Sequence, residues 1–192
     1  MSFRALLDAN VLVPITVADV FLRCAEQGFY DLLWSDRIIE EVSRTLVQLN
    51  PSIPRNNIDE RIQDMIRAFP QATVSDWKVF RERCPELPDS NDEHVCAAAI
   101  AGNADVIVTF NLKGFPQDAL EQAELFAQGP DEFMLDLWDL KPWYPQRIVT
   151  IIDEMSDVRG LNWRDMVHRL SKAGLPKFAN LITEWHYDNN AD

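Results

Sequence analysis

Four polar residues of this sequence could bind a metal ion if the fold brings them together: Asp8, Glu41, Asp92 and Asn111. Three of them are acids, and carboxylates that share one place repel one another and raise one another's pKa. A hard divalent cation such as Mg²⁺ or Mn²⁺ relieves that repulsion, because these ions prefer oxygen ligands and bridge carboxylates to substrate phosphates. The residue types therefore point to metal-dependent chemistry at a phosphate, provided that the surrounding elements deliver them to one edge of the fold.

Asp8 and Asn111 each follow a predicted strand. The apolar run over residues 3–7 is too short for a helix and predicts a buried strand, and Asp105–Phe110 has the clearest strand pattern in the chain. Ligands of open parallel sheets bind just beyond the carboxyl ends of the strands. Asp8 is therefore a candidate for a ligand-binding site rather than a solvated surface acid. Asn111 has an alternative role as a turn residue, and Thr109 is interpreted as an ordinary strand residue.

The choice between two neighbouring acids, Glu40 and Glu41, depends on the faces of a predicted helix over residues 36–49. On a helix with 3.6 residues per turn, the two side chains point about 100° apart. Glu40 lies nearly opposite the apolar stripe, whereas Glu41 lies at its edge; the stripe consists of Ile38, Ile39, Val42, Leu46 and Leu49. Glu41 is therefore the site candidate. In the alternative, both acids are solvated, and Arg37 forms an ordinary surface pair with Glu41.

Asp92 begins the inward face of a helix predicted over residues 93–101. Its spacing to three small or apolar residues is i, i+3, i+4, i+7, and these are Val95, Cys96 and Ala99. In the alternative, Asp92 completes a helix cap or favours the helix dipole. Asp89 fits a cap so well that it is the weaker site candidate. His94 is expected on the surface, because it points away from Asp92.

The predicted elements alternate between strands and helices, which indicates a three-layer α/β/α fold with a mostly parallel central sheet. Ser35 is a good cap for the helix over 36–49, and Asn50-Pro51 ends that helix. A further helix is predicted over residues 118–128. We divide the chain into a core domain over residues 1–140 and a C-terminal helical extension over 141–192, which packs on the core or on a partner.

The net charge of −13 limits how the chain could bind nucleic acid. A phosphate backbone is bound mainly through Lys and Arg, so broad electrostatic binding is disfavoured. A metal ion or a local basic patch must then supply the positive charge, and Lys113 is one residue near the site that could contact a phosphate. An acidic protein could also bind a basic protein partner.

The chain is expected to be cytoplasmic and not membrane-bound. Its cysteines, Cys24, Cys84 and Cys96, are few, odd in number and far apart, which suggests reduced thiols. The scattered histidines disfavour a zinc site. No apolar run approaches the length of a membrane span, and the first residues lack the pattern of a signal peptide.

The first 116 residues resemble PIN-domain ribonucleases of the VapC type, the toxins of type II toxin–antitoxin pairs. Three stretches in the right order and spacing carry the resemblance, namely Leu7–Leu12, Ser35–Leu46, and Asp89–Ala99 together with Ala104–Pro116. The resemblance implies that Asp8, Glu41 and Asp92 hold the metal. Asn111 would assist at the position where many PIN domains carry a fourth acid.

The same resemblance implies an activity and partners. The expected activity is a Mg²⁺- or Mn²⁺-dependent endoribonuclease that hydrolyses single-stranded RNA and leaves a 5′-phosphate and a 3′-hydroxyl. The expected partners are an RNA substrate, a cognate antitoxin whose C-terminal segment would occupy the acidic groove, and a second copy of the chain in a homodimer.

Two other functions stay open at this point. In one, the chain is a PIN-like binding or regulatory module without catalytic activity, and its acids are helix caps. In the other, it is a phosphatase-type hydrolase with Asp8 as the nucleophile. Such enzymes usually carry a second acid two residues further on, and this chain has Asn10 there.

Overall fold

A five-stranded parallel sheet organises the first of two compact units in the chain, of which a computed structural model describes residues 3–189. The strands are β1 (Arg4–Leu7), β2 (Asp31–Ser35), β3 (Thr73–Val74), β4 (Val106–Val108) and β5 (Ala127–Gln128). Their spatial order is β3-β2-β1-β4-β5. Leu6 of the middle strand pairs with Leu33 on one side and with Ile107 on the other.

The helices lie between these strands and after them along the chain. Within residues 3–189 the α-helices are α1 (Ala9–Leu12), α2 (Ile15–Glu26), α3 (Asp36–Leu49), α4 (Arg55–Ala68), α5 (Glu93–Gly102), α6 (Gln117–Leu120), α7 (Pro130–Leu140), α8 (Tyr144–Val158), α9 (Trp163–Lys172) and α10 (Pro176–Asn189). Short 3₁₀ helices occupy Trp77–Arg83, Ser90–Asp92, Leu112–Gly114 and Glu121–Ala123. The predicted fold class, a three-layer α/β/α fold with a helical C-terminal region, is confirmed.

The middle of the sheet is buried on both faces. Ala5, Leu6 and Leu7 of β1 have no exposed surface, as is usual for strands of a parallel sheet covered by helices. From β1 the chain passes to β2 on one side and later returns to β4 on the other. The carboxyl ends of β1 and β4 therefore form a topological switch point, where open α/β sheets bind their ligands.

The two compact units are Met1–Val13 with Tyr30–Gln128, and Pro14–Phe29 with Gly129–Asp192. The second unit is helical, and Phe21 stacks on Phe133 in it with ring centroids 5.5 Å apart. The structure thus groups α2 and α7 with the C-terminal helices, whereas the predicted domain boundary after residue 140 stays a prediction. Within residues 3–189, no helix combines the length and the apolarity that crossing a bilayer requires.

The prediction of a helix over residues 118–128 is wrong. Helix α6 ends at Leu120, Glu124 adopts a left-handed backbone conformation with φ of 55°, and the chain continues into β5. Ile107 of β4 donates its backbone N–H to the carbonyl of Phe126 at 2.8 Å. Pairing with the open edge of β4 satisfies backbone groups that a longer helix would leave at that edge, so the sheet overrides the local helical pattern.

Candidate active site

The carboxylate of Asp8 is fixed at the end of β1 by short hydrogen bonds. Its Oδ1 accepts from the backbone N–H of Ala9 at 2.6 Å, and its Oδ2 accepts from Asn10 Nδ2 at 2.6 Å and from Thr109 Oγ1 at 2.7 Å. Burial raises the pKa of Asp8, the bonds from Thr109 and Ala9 oppose that rise, and the nearby charge of Glu41 adds to it. Asp8 is only 7% exposed, and it holds its orientation through these donors.

Thr109 and Asn10 join the carboxyl ends of β1 and β4. The fully buried Thr109 hydroxyl donates to Asp8 and accepts from Asn10 Nδ2 at 2.9 Å and from the Asn111 N–H at 3.0 Å. Asn10 Oδ1 accepts from the backbone N–H of Phe110 at 2.9 Å. One donor and two acceptor positions are all that a hydroxyl offers, so Thr109 is saturated. The interpretation of Thr109 as an ordinary strand residue missed this positioning role.

Replacing Thr109 with valine is expected to lower both stability and activity. The substitution leaves the Asn111 N–H and an Asp8 oxygen without their partner in a buried place, which costs about 1–3 kcal/mol. For a chain of this length, that corresponds to a fall in Tm of about 3–10 °C, measurable by differential scanning fluorimetry. Thr183→Val is the matched control, because among residues 3–189 the Thr183 hydroxyl bonds to the Ala179 carbonyl within α10 and to no residue of the site. An equal Tm change in both variants would contradict the role given to Thr109.

Helix α3 presents Glu41 to the site and Glu40 to solvent, as its apolar periodicity predicts. The side chain of Glu41 is 20% exposed and that of Glu40 is 68% exposed. Glu41 Oε1 lies 3.2 Å from Arg37 Nε and 3.9 Å from Arg44 Nη2. Burial raises the pKa of Glu41, and the two guanidinium groups oppose that rise. The surface pair with Arg37 is therefore present, although Glu41 is not a surface acid.

The expectation that His94 lies on the surface is wrong. His94 is 8% exposed, and its Nε2 lies 3.2 Å from Glu41 Oε1. Burial, together with the charges of Arg37 and Arg81, lowers the pKa of His94 to about 4. The ring is therefore neutral near neutral pH, and it packs edge-on against Trp77 with centroids 6.0 Å apart. In this position His94 limits where the Glu41 carboxylate can turn.

The side chain of Asp92 does not cap α5, although Asp92 stands at the N-terminus of that helix, where the other alternative, a favourable interaction with the helix dipole, stays open. Its carboxylate makes no capping bond to α5, and Asp89 caps the preceding 3₁₀ helix by accepting from the Asn91 N–H at 2.9 Å. Asp92 Oδ2 instead accepts from Asn111 Nδ2 at 3.2 Å. Asn111 Oδ1 accepts from the Gly114 N–H at 3.2 Å, so Asn111 is a turn residue and a partner of Asp92 at once.

Gly114 leaves room for the contact between Asp92 and Asn111. A Cβ atom added to Gly114 would lie 2.5 Å from Asn111 Nδ2 and closer still to Asp92 Oδ2. Real side-chain atoms do not approach so closely, so only glycine fits beside this carboxylate without displacing it. The sequence shows Gly114 only as a loop glycine, and no local pattern indicates its neighbours.

The four predicted site residues line one groove of about 350 Å³, together with Arg44 and Asn10. The Asp92 carboxyl has a pKa raised to about 6, first by burial and then by the charges of Asp8, Asp89 and Glu41. Such mutual repulsion is expected where several carboxylates form a site for a cation. Arg44 was not singled out from the sequence, and it contributes an exposed positive charge to an otherwise acidic groove.

The donor chemistry of the groove fits Mg²⁺ or Mn²⁺. In the described part of the chain, no three Asp, Glu, His or Cys side chains converge closely enough to surround an ion directly. Mg²⁺ does not require such a cage, since it usually keeps several waters and is held by one or two carboxylates and a substrate phosphate. Asp8, Glu41 and Asp92 supply hard oxygen donors of that type, whereas the Asn111 oxygen is already engaged by Gly114.

Comparison with known families agrees with the geometry of this groove. Residues 4–113, more than half of the chain, match the family model of the PIN domain. The chain belongs to the PIN-domain family. A stretch of 49 residues is 55% identical to a Mycobacterium tuberculosis protein that bears the provisional name ribonuclease VapC50, and it covers 26% of this chain and 29% of that protein. No solved structure gives a significant match.

The match to the PIN-domain family confirms the resemblance seen in the sequence. The structure of this PIN domain also shows what replaces the fourth acid. At the position of the fourth acid of many PIN domains, Asn111 brings no charge. Its amide donates to Asp92, and its carbonyl accepts from Gly114. Asn111 therefore positions Asp92 rather than adding a further anionic ligand.

Proposed function

We propose that this chain is a metal-dependent endoribonuclease that hydrolyses single-stranded RNA, and that it is the toxin of a toxin–antitoxin pair. The observation that carries the proposal is that Asp8, Glu41 and Asp92, far apart in sequence, line one groove at the switch point of the sheet. Membership of the PIN-domain family and the partial similarity to a protein named as a VapC ribonuclease support it.

In this proposal, Asp8, Glu41 and Asp92 hold one Mg²⁺ or Mn²⁺. When bound, the ion would supply Lewis-acid activation of water and would stabilise charge on the scissile phosphate. Thr109 and Asn10 hold the Asp8 carboxylate in place, and Asn111 holds Asp92. Arg44, at the rim of the groove, would contact a non-bridging phosphate oxygen of the RNA. The products would carry a 5′-phosphate and a 3′-hydroxyl.

The partners follow from the same proposal. A cognate antitoxin would place a C-terminal segment in the acidic groove, where a basic side chain would be attracted by the carboxylates. We also expect a homodimer and a cytoplasmic location.

The experiment that tests the activity is cleavage of a labelled single-stranded RNA by the purified protein with Mg²⁺, with Mn²⁺ and with EDTA. The expected result is cleavage with either ion, none with EDTA, and none by the Asp8→Asn/Asp92→Asn double variant. A duplex of the same sequence is the substrate control and should stay intact.

Other outcomes would select between the remaining functions. Absence of cleavage of several RNAs by well-folded protein would favour a binding or regulatory module. A covalent phosphate on Asp8 after incubation with a phosphorylated substrate would favour the phosphatase-type hydrolase.

A further inference from the structure

The second compact unit contains an open groove of about 870 Å³, which has no lining residue in common with the carboxylate groove. All of its lining residues belong to that unit, in the segments Gln27–Phe29 and Lys141–Thr150 and at Trp185. The side chain of Trp143 is 62% exposed at its edge. Exposed tryptophans on a protein surface are most common where another molecule binds.

Two positively charged side chains line this groove. Lys141 Nζ lies 5.6 Å from the centre of the Trp143 ring and 5.3 Å from that of Tyr144, close enough for cation–π attraction. The Arg147 guanidinium donates through Nε and Nη2 to Gln27 Oε1, at 3.0 and 2.5 Å. Gln27 thereby orients Arg147 and leaves its third nitrogen, Nη1, outside this contact.

The composition of the lining sets the groove apart from the rest of the chain. The full sequence has 31 acidic and 18 basic residues. Yet the described residues that line this groove include Lys141 and Arg147 and no Asp or Glu. Binding of a polyanion by so acidic a protein requires local positive charge, because the net charge of −13 repels phosphate as a whole.

The same lining favours a nucleic acid over a peptide helix. Grooves that bind an amphipathic helix are hydrophobic and take up the apolar face of that helix. No Leu, Ile, Val or Met is present among the described residues that line this groove. Single-stranded nucleic acids instead stack bases on aromatic rings and place phosphates on Lys and Arg, which is the combination of Trp143, Lys141 and Arg147.

We infer that this groove of the helical unit is a second RNA-binding site, which stacks a base on Trp143 and binds the flanking phosphates through Lys141 and Arg147. The inference rests on the proposed RNA cleavage and adds a residue-level account of how an acidic chain retains its substrate. It assigns to the C-terminal helices a role in binding single-stranded RNA.

The test is the affinity of the full-length protein for a fluorescein-labelled single-stranded RNA 12-mer, measured by anisotropy in the Asp92→Asn background, which should leave the RNA intact. Trp143→Leu should weaken binding by about 5- to 100-fold, the range expected for loss of one base–aromatic stack. Lys141→Gln should reduce the slope of log affinity against log salt by about 0.7, the value for one lost phosphate contact.

Matched controls lie in the same helical unit. Tyr187→Leu removes another exposed aromatic ring, and Lys172→Gln changes the net charge by the same amount as Lys141→Gln. Both control residues lie outside the groove lining, so both variants should bind the 12-mer with wild-type affinity. Circular dichroism and Tm of all four variants verify folding.

The outcomes separate this inference from the proposed activity. Metal-dependent cleavage by the wild type, together with equal RNA affinity of groove and control variants, would overturn the groove assignment and leave the activity standing. Weaker binding by the groove variants without any cleavage by the wild type would support the groove and refute the activity. A third outcome would reassign the groove to an acidic protein segment. In it, poly-glutamate binds the protein that retains Trp143 but not the Trp143→Leu variant, and the two proteins bind RNA with equal affinity.

Discussion

Replacing Asp92 with asparagine is expected to reduce metal-dependent cleavage strongly and, at the same time, to raise the Tm of the metal-free protein. Loss of a charged ligand removes several kcal/mol of transition-state stabilisation, so cleavage should fall by about two to four orders of magnitude. The gain in stability has an electrostatic origin. In the folded chain the Asp92 carboxyl has a pKa of about 6 instead of 3.8, because burial and the charges of Asp8, Asp89 and Glu41 disfavour its ionised form.

The sign of the pH dependence follows from this raised pKa. A carboxyl with a folded-state pKa above its unfolded-state value stabilises the fold while it is protonated, and this stability is lost as the pH rises through the folded-state pKa. The Tm advantage of Asp92→Asn should therefore be absent below about pH 4, grow up to about pH 6, and stay constant above that. Because the side chain is partly exposed, solvent screening reduces the effect to about 1 kcal/mol, or about 2–4 °C.

The measurement is differential scanning fluorimetry in EDTA at about pH 4, 6 and 8, repeated with Mn²⁺, beside the cleavage assay. Asp89→Asn is the matched control, since it removes a neighbouring acid whose role is a cap that asparagine can replace. Mn²⁺ should raise the Tm of the wild type and of Asp89→Asn more than that of Asp92→Asn. Wild-type cleavage by Asp92→Asn would exclude Asp92 from the metal site, and a pH-independent Tm difference would refute the electrostatic account.

Elements with strong local signals were predicted well from the sequence. Helix α3 has the predicted bounds, because Ser35 accepts from the Ile38 N–H at 3.2 Å as its cap and the Asn50-Pro51 pair ends it. The same helix periodicity separated Glu41 from Glu40. Cap chemistry and a 3.6-residue period are properties of a few neighbouring residues, so they can be seen without knowing the fold.

Features that depend on distant pairing could not be predicted in this way. The hydroxyl of Thr109 bonds to Asp8 across 101 positions of sequence, and nothing local indicates that β1 and β4 become neighbours. Strand β5 is two residues long, and it exists because β4 offers an open edge. His94 was misplaced for a related reason: six consecutive residues of α5 from His94 onward are buried, so this helix has no polar face from which a surface position could be inferred.

Replacing Gly114 with alanine is expected to lower cleavage by about 10- to 100-fold, the usual effect of disturbing a partner of a metal ligand, while the Tm changes little. The added methyl group would overlap the ends of the Asp92 and Asn111 side chains, and both can turn aside at small cost to the fold. Turning aside breaks their hydrogen bond and moves the Asp92 carboxylate out of the groove. The cleavage rate and the Mn²⁺-induced rise in Tm should therefore both decrease.

Gly102→Ala is the matched control with the opposite expected pattern. A Cβ at Gly102 would lie 2.8 Å from Cδ1 of the buried Leu33 and 3.0 Å from Cγ2 of the partly exposed Val74, neither of which lines the carboxylate groove. Overpacking there should cost about 1 kcal/mol and leave cleavage unchanged. The same methyl group would thus reduce activity at one glycine and stability at the other. If Gly114→Ala cleaved RNA at the wild-type rate, the Asp92 carboxylate could leave Asn111 without consequence, and their hydrogen bond would have no part in catalysis.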